Sequence, residues 1–267
     1  MYYITSFCHG PKYQVVKEKW IQRVKEKCIG SEIVIFDDIT ILRNSAFEPM
    51  FHGYIWALRL KHNINLLLRC KNPIVMCDLD VIVEKNLQPI VDLPYDIIIS
   101  TEMNGAESYP KEYSKILGFG VCCGFMILKQ TSTNFLLNIF KNMENKKYNT
   151  YDDQVNFMAH IVNNKYQVVE QDIILDNKKY TNRIIMVNDI KICVLDYNIV
   201  IRDPIFNDGQ FANHINIDNV GGSYNFLQYF DKDLETLPLS CRCGKTHLGD
   251  NNICKHIILR KNKLGNI

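Results

Sequence analysis

The chain has 267 residues, a formal net charge of +2 and 47% hydrophobic residues. That length suits one α/β domain with room for a small appendage, and the apolar share is ample for a core. The charge is too small to mark a nucleic-acid partner, and no run of about 18 apolar residues offers a transmembrane segment.

The cysteines are scattered, and Cys70, Cys77 and Cys193 sit inside apolar runs. That pattern reads as reduced core thiol rather than a disulfide framework. Met1 to Ser6 starts directly on a strand-like segment without the basic and apolar regions of a signal peptide, so a soluble, cytoplasmic protein is expected. The richness in Ile, Asn and Lys suits an A+T-rich microbial or viral genome.

Tyr2 to Phe7 reads as the first strand, broken at His9-Gly10-Pro11. Val15, Val16, Trp20, Val24 and Cys28 recur at helical spacing and predict a helix over 13–28, with Gly30 as its C-cap. Glu32 to Asp37 is the second strand. Strand, helix, strand is the signature of a parallel sheet. Met50 to Cys70 reads as helix, in one or two pieces, and carries Arg59, Lys61, His62 and Arg69.

Next comes the most informative stretch, Pro73-Ile74-Val75-Met76-Cys77-Asp78-Leu79-Asp80-Val81-Ile82-Val83. A continuous apolar run predicts a strand buried on both faces. Alternation along that strand would point Asp78 and Asp80 the same way. Two such carboxylates repel each other, and burying them unpaired is costly. A divalent cation resolves both problems. Oxygen ligands favour Mg2+ or Mn2+ over zinc, and the metal would bring a phosphate-bearing ligand. In an open α/β sheet the site would lie at the carboxyl ends of the strands. The plain alternative is a strand ending in two solvated acids, and the apolar runs on both sides weigh against it.

Ile97 to Ile99 is a further strand, and Thr101 to Lys115 is a polar, irregular loop expected to flank donor or acceptor. The glycines of Gly118 to Phe125 let the backbone approach a ligand closely. Cys122 and Cys123 read as packed thiols. Ser132 to Lys146 has a helical apolar stripe. Asp152, Asp153 and Gln154 precede a helix over 155–162, where acids suit capping and the helix dipole. Residues 166–205 read as short strands alternating with polar turns, and Gly209 to Asn216 as a strand-like segment carrying His214.

The C-terminal stretch holds Cys241, Cys243, His247, Cys254 and His256. Cys241, Cys243, Cys254 and His256 are candidates for a structural Zn2+ site. Arg242, Lys245, Lys255, Arg260, Lys261 and Lys263 against Asp250 make this tail basic, suited to an anionic partner or to solvent.

Taken in order, these stretches resemble the nucleotide-diphospho-sugar glycosyltransferases of the GT-A fold, in the group related to glycosyltransferase families 8 and 77. Asp78-Leu79-Asp80 resembles their Asp-x-Asp motif, and Glu84 to Pro89 the polar turn and proline after it. Asp96 to Ser100 resembles the next sheet strand, Cys123 to Lys129 the Gly-Phe-Met strand, and Asp153 to Phe157 the Asp-Gln motif. The resemblance covers roughly residues 1–220. It implies a mixed, mainly parallel central sheet flanked by helices in a domain over 1–235, with the basic Cys/His tail over 236–267 as an appendage.

It also implies roles. Thr5, Ser6 and Phe7 would cradle the nucleotide base, with Tyr13 stacking. Lys61, 17 positions before Asp78, would meet the donor's phosphates or ribose. Leu79 and Gly124 would approach the donor beside Asp78 and Asp80. His214 would complete a Mn2+ (or Mg2+) shell begun by those two acids. Asp153 would bind sugar hydroxyls and Gln154 would sit near the reacting carbon. Cys122 departs from the family's usual Asn two positions before Gly124, so the sugar contact made by that Asn is not expected here. The expected activity is metal-dependent, retaining transfer from a nucleotide-diphosphate sugar, a UDP-sugar first, to a hydroxyl of a glycan, protein or small molecule. A sugar-nucleotide nucleotidyltransferase would carry a glycine-rich, basic signature near the N-terminus, which Phe7 to Lys12 lacks. A non-catalytic binding module would have lost at least one of these motifs.

Overall fold

The computed structural model describes residues 1–37, 48–102, 104–201, 210–217, 226–227, 230, 239–240 and 246–247. Its elements follow the expected alternation. β1 (Tyr3–Phe7), α1 (Gly10–Lys27), β2 (Glu32–Phe36), α2 (Glu48–Cys70) and β3 (Ile74–Cys77) form the N-terminal half of the sheet and its helices. β4 (Val81–Val83), α3 (Gln88–Val91), β5 (Ile97–Thr101), α4 (Lys111–Leu117) and β6 (Val121–Leu128) follow. α5 (Thr133–Glu144), α6 (Asp153–Val162), β7 (Tyr166–Leu175), β8 (Lys178–Val187), β9 (Ile190–Val194), β10 (Val200–Ile201) and β11 (Ala212–His214) complete the body.

The main sheet has eight strands in the order β2-β1-β3-β6-β5-β9-β8-β7. β1 pairs parallel with β2 and β3, and β5 pairs parallel with β9. β6 runs antiparallel between β3 and β5. α1 packs on one face through Val16, Trp20, Val24 and Cys28. α2, α5 and α6 cover the other through residues such as Leu60, Leu67, Leu136 and Phe157. The expected α/β class, mixed sheet and flanking helices are all present.

Several local expectations change. The helix over 50–70 is one piece beginning at Glu48. α1 begins at Gly10 rather than near Tyr13, because proline is tolerated in a helix's first turn. The irregular loop over 101–115 contains a 3-10 turn at Gly105–Glu107 and the start of α4. The short strands expected after 166 are two ten-residue strands joined at Asp176 and Asn177, both left-handed (φ 49° and 61°) as a tight hairpin turn requires.

The most consequential change is at Asp78 to Asp80. The continuous strand expected over 73–83 breaks there. Asp78 N–H donates to Gly124 O (2.8 Å), Val81 N–H donates to Asp78 O (3.0 Å), and the chain turns out of the main sheet. β4 then pairs antiparallel with β11 in a second sheet ordered β10-β11-β4. The turn keeps both acids at the sheet's edge instead of inside it. α1 holds the new direction. Trp20 Nε1 donates to Val81 O (2.9 Å) and Arg23 Nε to Val83 O (3.0 Å), while Arg23 pairs with Glu84 at 2.5 Å.

β12 (Leu239–Ser240) and β13 (Thr246–His247) form a short antiparallel pair. Cys241, Cys243, Cys254 and His256 lie outside the described residues. Among the described residues no helix is long and apolar enough to cross a membrane.

Trp20 is fully buried and anchors β4 directly after the acidic turn. Trp20→Ala is expected to cost about 3–5 kcal/mol in urea unfolding. A loss below about 1 kcal/mol would contradict this anchoring role.

Candidate active site

Five elements deliver side chains or a backbone edge to the carboxyl end of β3. The β3–β4 turn brings Asp78 and Asp80. β11 brings His214, because its antiparallel register sets His214 opposite Val81, and Ile215 N–H fixes the join by donating to Asp80 O (2.9 Å). β6 brings Gly124, α2 brings Arg59, and the first residue of α6 is Asp153.

Asp78, Asp80 and His214 form a compact cluster. One ligand atom from each lies within 4.8 Å of the others. His214 Nε2 is 3.3 Å from Asp80 Oδ1 and 4.0 Å from Asp78 Oδ2. Asp80 and His214 are buried, and Asp78 is partly exposed. Gly124 makes the approach possible. A β-carbon there would stand 2.4 Å from His214 Cε1 and 2.8 Å from Asp78 Oδ2.

The electrostatics show a site short of positive charge. Burial raises the Asp78 carboxyl above the usual range; Arg59 pulls it back and Asp80 pushes it further up. Burial would raise Asp80 as well, but His214 outweighs it and the carboxyl falls below the usual range. Burial would lower the His214 imidazole, yet Cys122 and Asp80 lift it to about 10. A proton held this firmly by Asp80 and a sulfur stands where a cation would be equally welcome. The donor set is right for one: two carboxylates and an imidazole, with the buried Asp80 Oδ1 facing His214 Nε2. Cys122 Sγ lies 3.4 Å from His214 Nδ1, so the ring's other nitrogen is held while Nε2 faces the acids.

Arg59 is the link between the two acidic motifs. Its guanidinium donates to Asp78 with one nitrogen and to Asp153 with the other, and reaches Cys123 O at 3.3 Å. Burial would lower its pKa, but Asp153 and Asp78 raise it, so Arg59 stays charged. Lys61, the basic residue expected from spacing, is elsewhere. It is exposed, with its ammonium 5.9 Å from the Phe140 ring of α5. The helical phase explains this. Ile55, Arg59, Asn63 and Leu67 form one buried i, i+4 row, and Lys61 falls outside it. That row was the available signal for Arg59.

The other expected positions divide. Thr5 is buried and its hydroxyl donates to Asn63 Oδ1 (2.6 Å) on α2. Ser6 is buried with no hydrogen bond to its hydroxyl. Phe7 packs against Ile55 beside Phe36 and Leu58, and Tyr13 is half-buried against the α1-side core. The Leu79 side chain goes into that same core, leaving its backbone for any ligand. Gln154 is at the surface, donating from Nε2 to Tyr109 O (2.5 Å). Asp152 caps α6 through Val155 N–H (2.9 Å).

The family model for nucleotide-diphospho-sugar transferases matches residues 24–232. The chain belongs to this family. It is a glycosyltransferase, and its fold is that of solved GT-A enzymes. The galactosyltransferase LgtC, solved with donor and acceptor sugar analogues, superposes with a TM-score of 0.51 over 86% of this chain and 95% of that one at 10% identity. The glycosyltransferase GlyE of Streptococcus pneumoniae gives 0.51 over 88% of this chain and 61% of its own at 10% identity. No curated protein sequence matches the chain.

The Arg59 bridge sets a clear expectation. Arg59→Met leaves Asp78 and Asp153 without their shared cation and should lose about 3–5 kcal/mol in chemical denaturation. Arg59→Lys should recover only part, because one ammonium cannot fork to two carboxylates. Full recovery by lysine would contradict the forked geometry.

Proposed function

We propose that this glycosyltransferase moves a sugar from a nucleotide-diphosphate donor to a hydroxyl acceptor with a divalent cation, Mn2+ or Mg2+, held by Asp78, Asp80 and His214. The observation that carries the reading is this cation-deficient cluster beside the buried Arg59. When bound, the metal would act as a Lewis acid on the diphosphate. The anomeric C–O bond to the diphosphate breaks, with its electron pair leaving on the diphosphate. A new C–O bond forms to the acceptor oxygen, and the hydroxyl proton departs with the products.

The chain's own residues do the positioning. Arg59 stays positive beside the acids and keeps Asp78 and Asp153 at fixed separation. Asp153 is assigned to the sugar hydroxyls and Gln154 to the neighbourhood of the reacting carbon, so much of the rate comes from orientation and fixed charge. Thr5, Ser6, Phe7 and Tyr13 are assigned to the nucleotide, and the unpartnered, buried Ser6 hydroxyl supports that side as a ligand contact. Gly124 and the Leu79 backbone complete the donor floor. Retention of anomeric configuration is the assigned outcome, and UDP-sugars are the first donors to test. The free cysteines Cys8, Cys77 and Cys193, buried in the core, support a reducing, cytoplasmic setting. Residues 1–235 are assigned to the catalytic domain and 236–267 to an appendage that binds structural Zn2+ through Cys241, Cys243, Cys254 and His256.

The test is nucleoside diphosphate release across a panel of nucleotide sugars, with and without MnCl2, on wild type and Asp80→Asn. Release from one donor should depend on Mn2+ and fall about a hundredfold or more in the variant. Metal-independent release, or an Asp80→Asn enzyme as fast as wild type, would overturn the metal assignment.

A further inference from the structure

Charge on this protein is not spread evenly. Several surface lysines meet an acid: Lys17 pairs with Glu18 and Asp37, Lys85 with Asp176, Lys111 with Glu107 and Lys179 with Asp172. Along α1, lysines alternate with Glu18 and Glu26. The layer of α2 and α5 on the opposite face is different. No acid occurs between Glu48 and Asp78, and Glu144 is the only one between Lys129 and Tyr151. The same two stretches bring Lys61, Arg69, Lys71, Lys141, Lys146 and Lys147. Among the described residues, Lys61, Arg69, Lys71 and Lys141 are exposed and form no ion pair.

Large apolar side chains are set into this basic face. Tyr54, Lys61 and Leu68 are seven residues apart, so they stand in line along one side of α2. All three are exposed, Leu68 by 53%. Contacts tie this line to α5 and the segment after it. The Lys61 ammonium lies 5.9 Å from the centre of the Phe140 ring on α5, and exposed Lys141 follows Phe140. Tyr54 meets Tyr151 edge-on, with ring centres 5.7 Å apart, and the Lys146 ammonium is 4.8 Å from the same Tyr151 ring.

The composition selects the partner. A nucleic acid calls for cations that track its backbone without interruption. Here an exposed aliphatic side chain, Leu68, stands between Lys61 and Lys71. Basic residues around exposed tyrosine and leucine suit the boundary of a charged lipid layer. Ammonium and guanidinium groups meet headgroup phosphates there, while the tyrosine ring and the leucine enter the boundary itself. Long lysine stems let the charge stay in water as the face settles.

We infer that the outer face of α2 and α5 docks on an anionic lipid surface. Lys61, Arg69, Lys71 and Lys141 meet the headgroup phosphates, and Tyr54 and Leu68 enter the headgroup boundary. The face ends at Tyr151, two residues before Asp153, so docking holds the mouth of the site beside the lipid surface.

The test is sedimentation of the full chain with vesicles of phosphatidylcholine, alone or with about a third phosphatidylserine, at about 0.1 M and about 0.5 M NaCl. Binding should require phosphatidylserine and fall at least about tenfold at the higher salt. Lys61→Gln combined with Lys141→Gln should weaken it about thirtyfold, and Leu68→Gln about fivefold, each with the cooperative thermal melt retained. Replacing Arg260, Lys261 and Lys263 of the basic tail by Gln should cost less than about fivefold. Equal binding to neutral vesicles, loss of binding in the tail variant alone, or an affinity unmoved by the Lys61 and Lys141 replacements overturns the inference. If a single-stranded oligonucleotide displaces the vesicles and Leu68→Gln changes nothing, the face is a general polyanion site and the lipid assignment falls.

Discussion

A single buried guanidinium, shared between Asp78 and Asp153, is the contact on which the site's geometry depends. Arg59 comes from α2, Asp78 from the end of β3 and Asp153 from the start of α6. Without a cation between them, two acids from distant parts of the chain would be pressed together at the edge of the core. With it, the helix layer over one face of the sheet is tied to the acidic turn at the carboxyl end of β3. The guanidinium suits this task because its fork presents separate donors to separate carboxylates and stays charged when buried.

The arginine neutralises only part of the charge. Asp80 and His214 sit on the far side of Asp78, brought there because β4 leaves the main sheet to pair with β11. Asp80 and Cys122 hold the His214 imidazole well above its ordinary range, as a place suited to positive charge would. The break in the sheet and the shortage of positive charge are thus two sides of one arrangement. The chain turns at its two acids, and the turn collects them into a ligand set. Gly124 leaves the space for that set, and Cys122 steadies the imidazole from behind.

Much of this is written locally in the sequence. The apolar periodicities of α1, α2 and α5 and the apolar runs of β3, β5 and β6 mark their elements, because core burial imposes a period that needs no knowledge of partners. Asp78, Asp80, Asp153 and His214 stand out by type and order. What is not local is harder to read. The bend at Asp78 depends on β4 pairing with β11, far along the chain. Lys61 has the expected spacing, yet helical phase turns it outward and turns Arg59 in. Within β7 the residues Val169 to Asp172 are exposed in an unbroken run, so the alternation that betrays a strand is lost there. Its tight turn at Asp176-Asn177 was the better signal. The role of Cys122 could not be seen until His214 was placed against it.

The most direct test is a crystal structure grown with MnCl2 and a nucleoside diphosphate, read by anomalous scattering at the manganese edge. The account predicts one manganese peak bounded by Asp78, Asp80 and His214, with Arg59 still bridging Asp78 and Asp153. A peak elsewhere on the protein, or none under conditions where the nucleotide is bound, would contradict it.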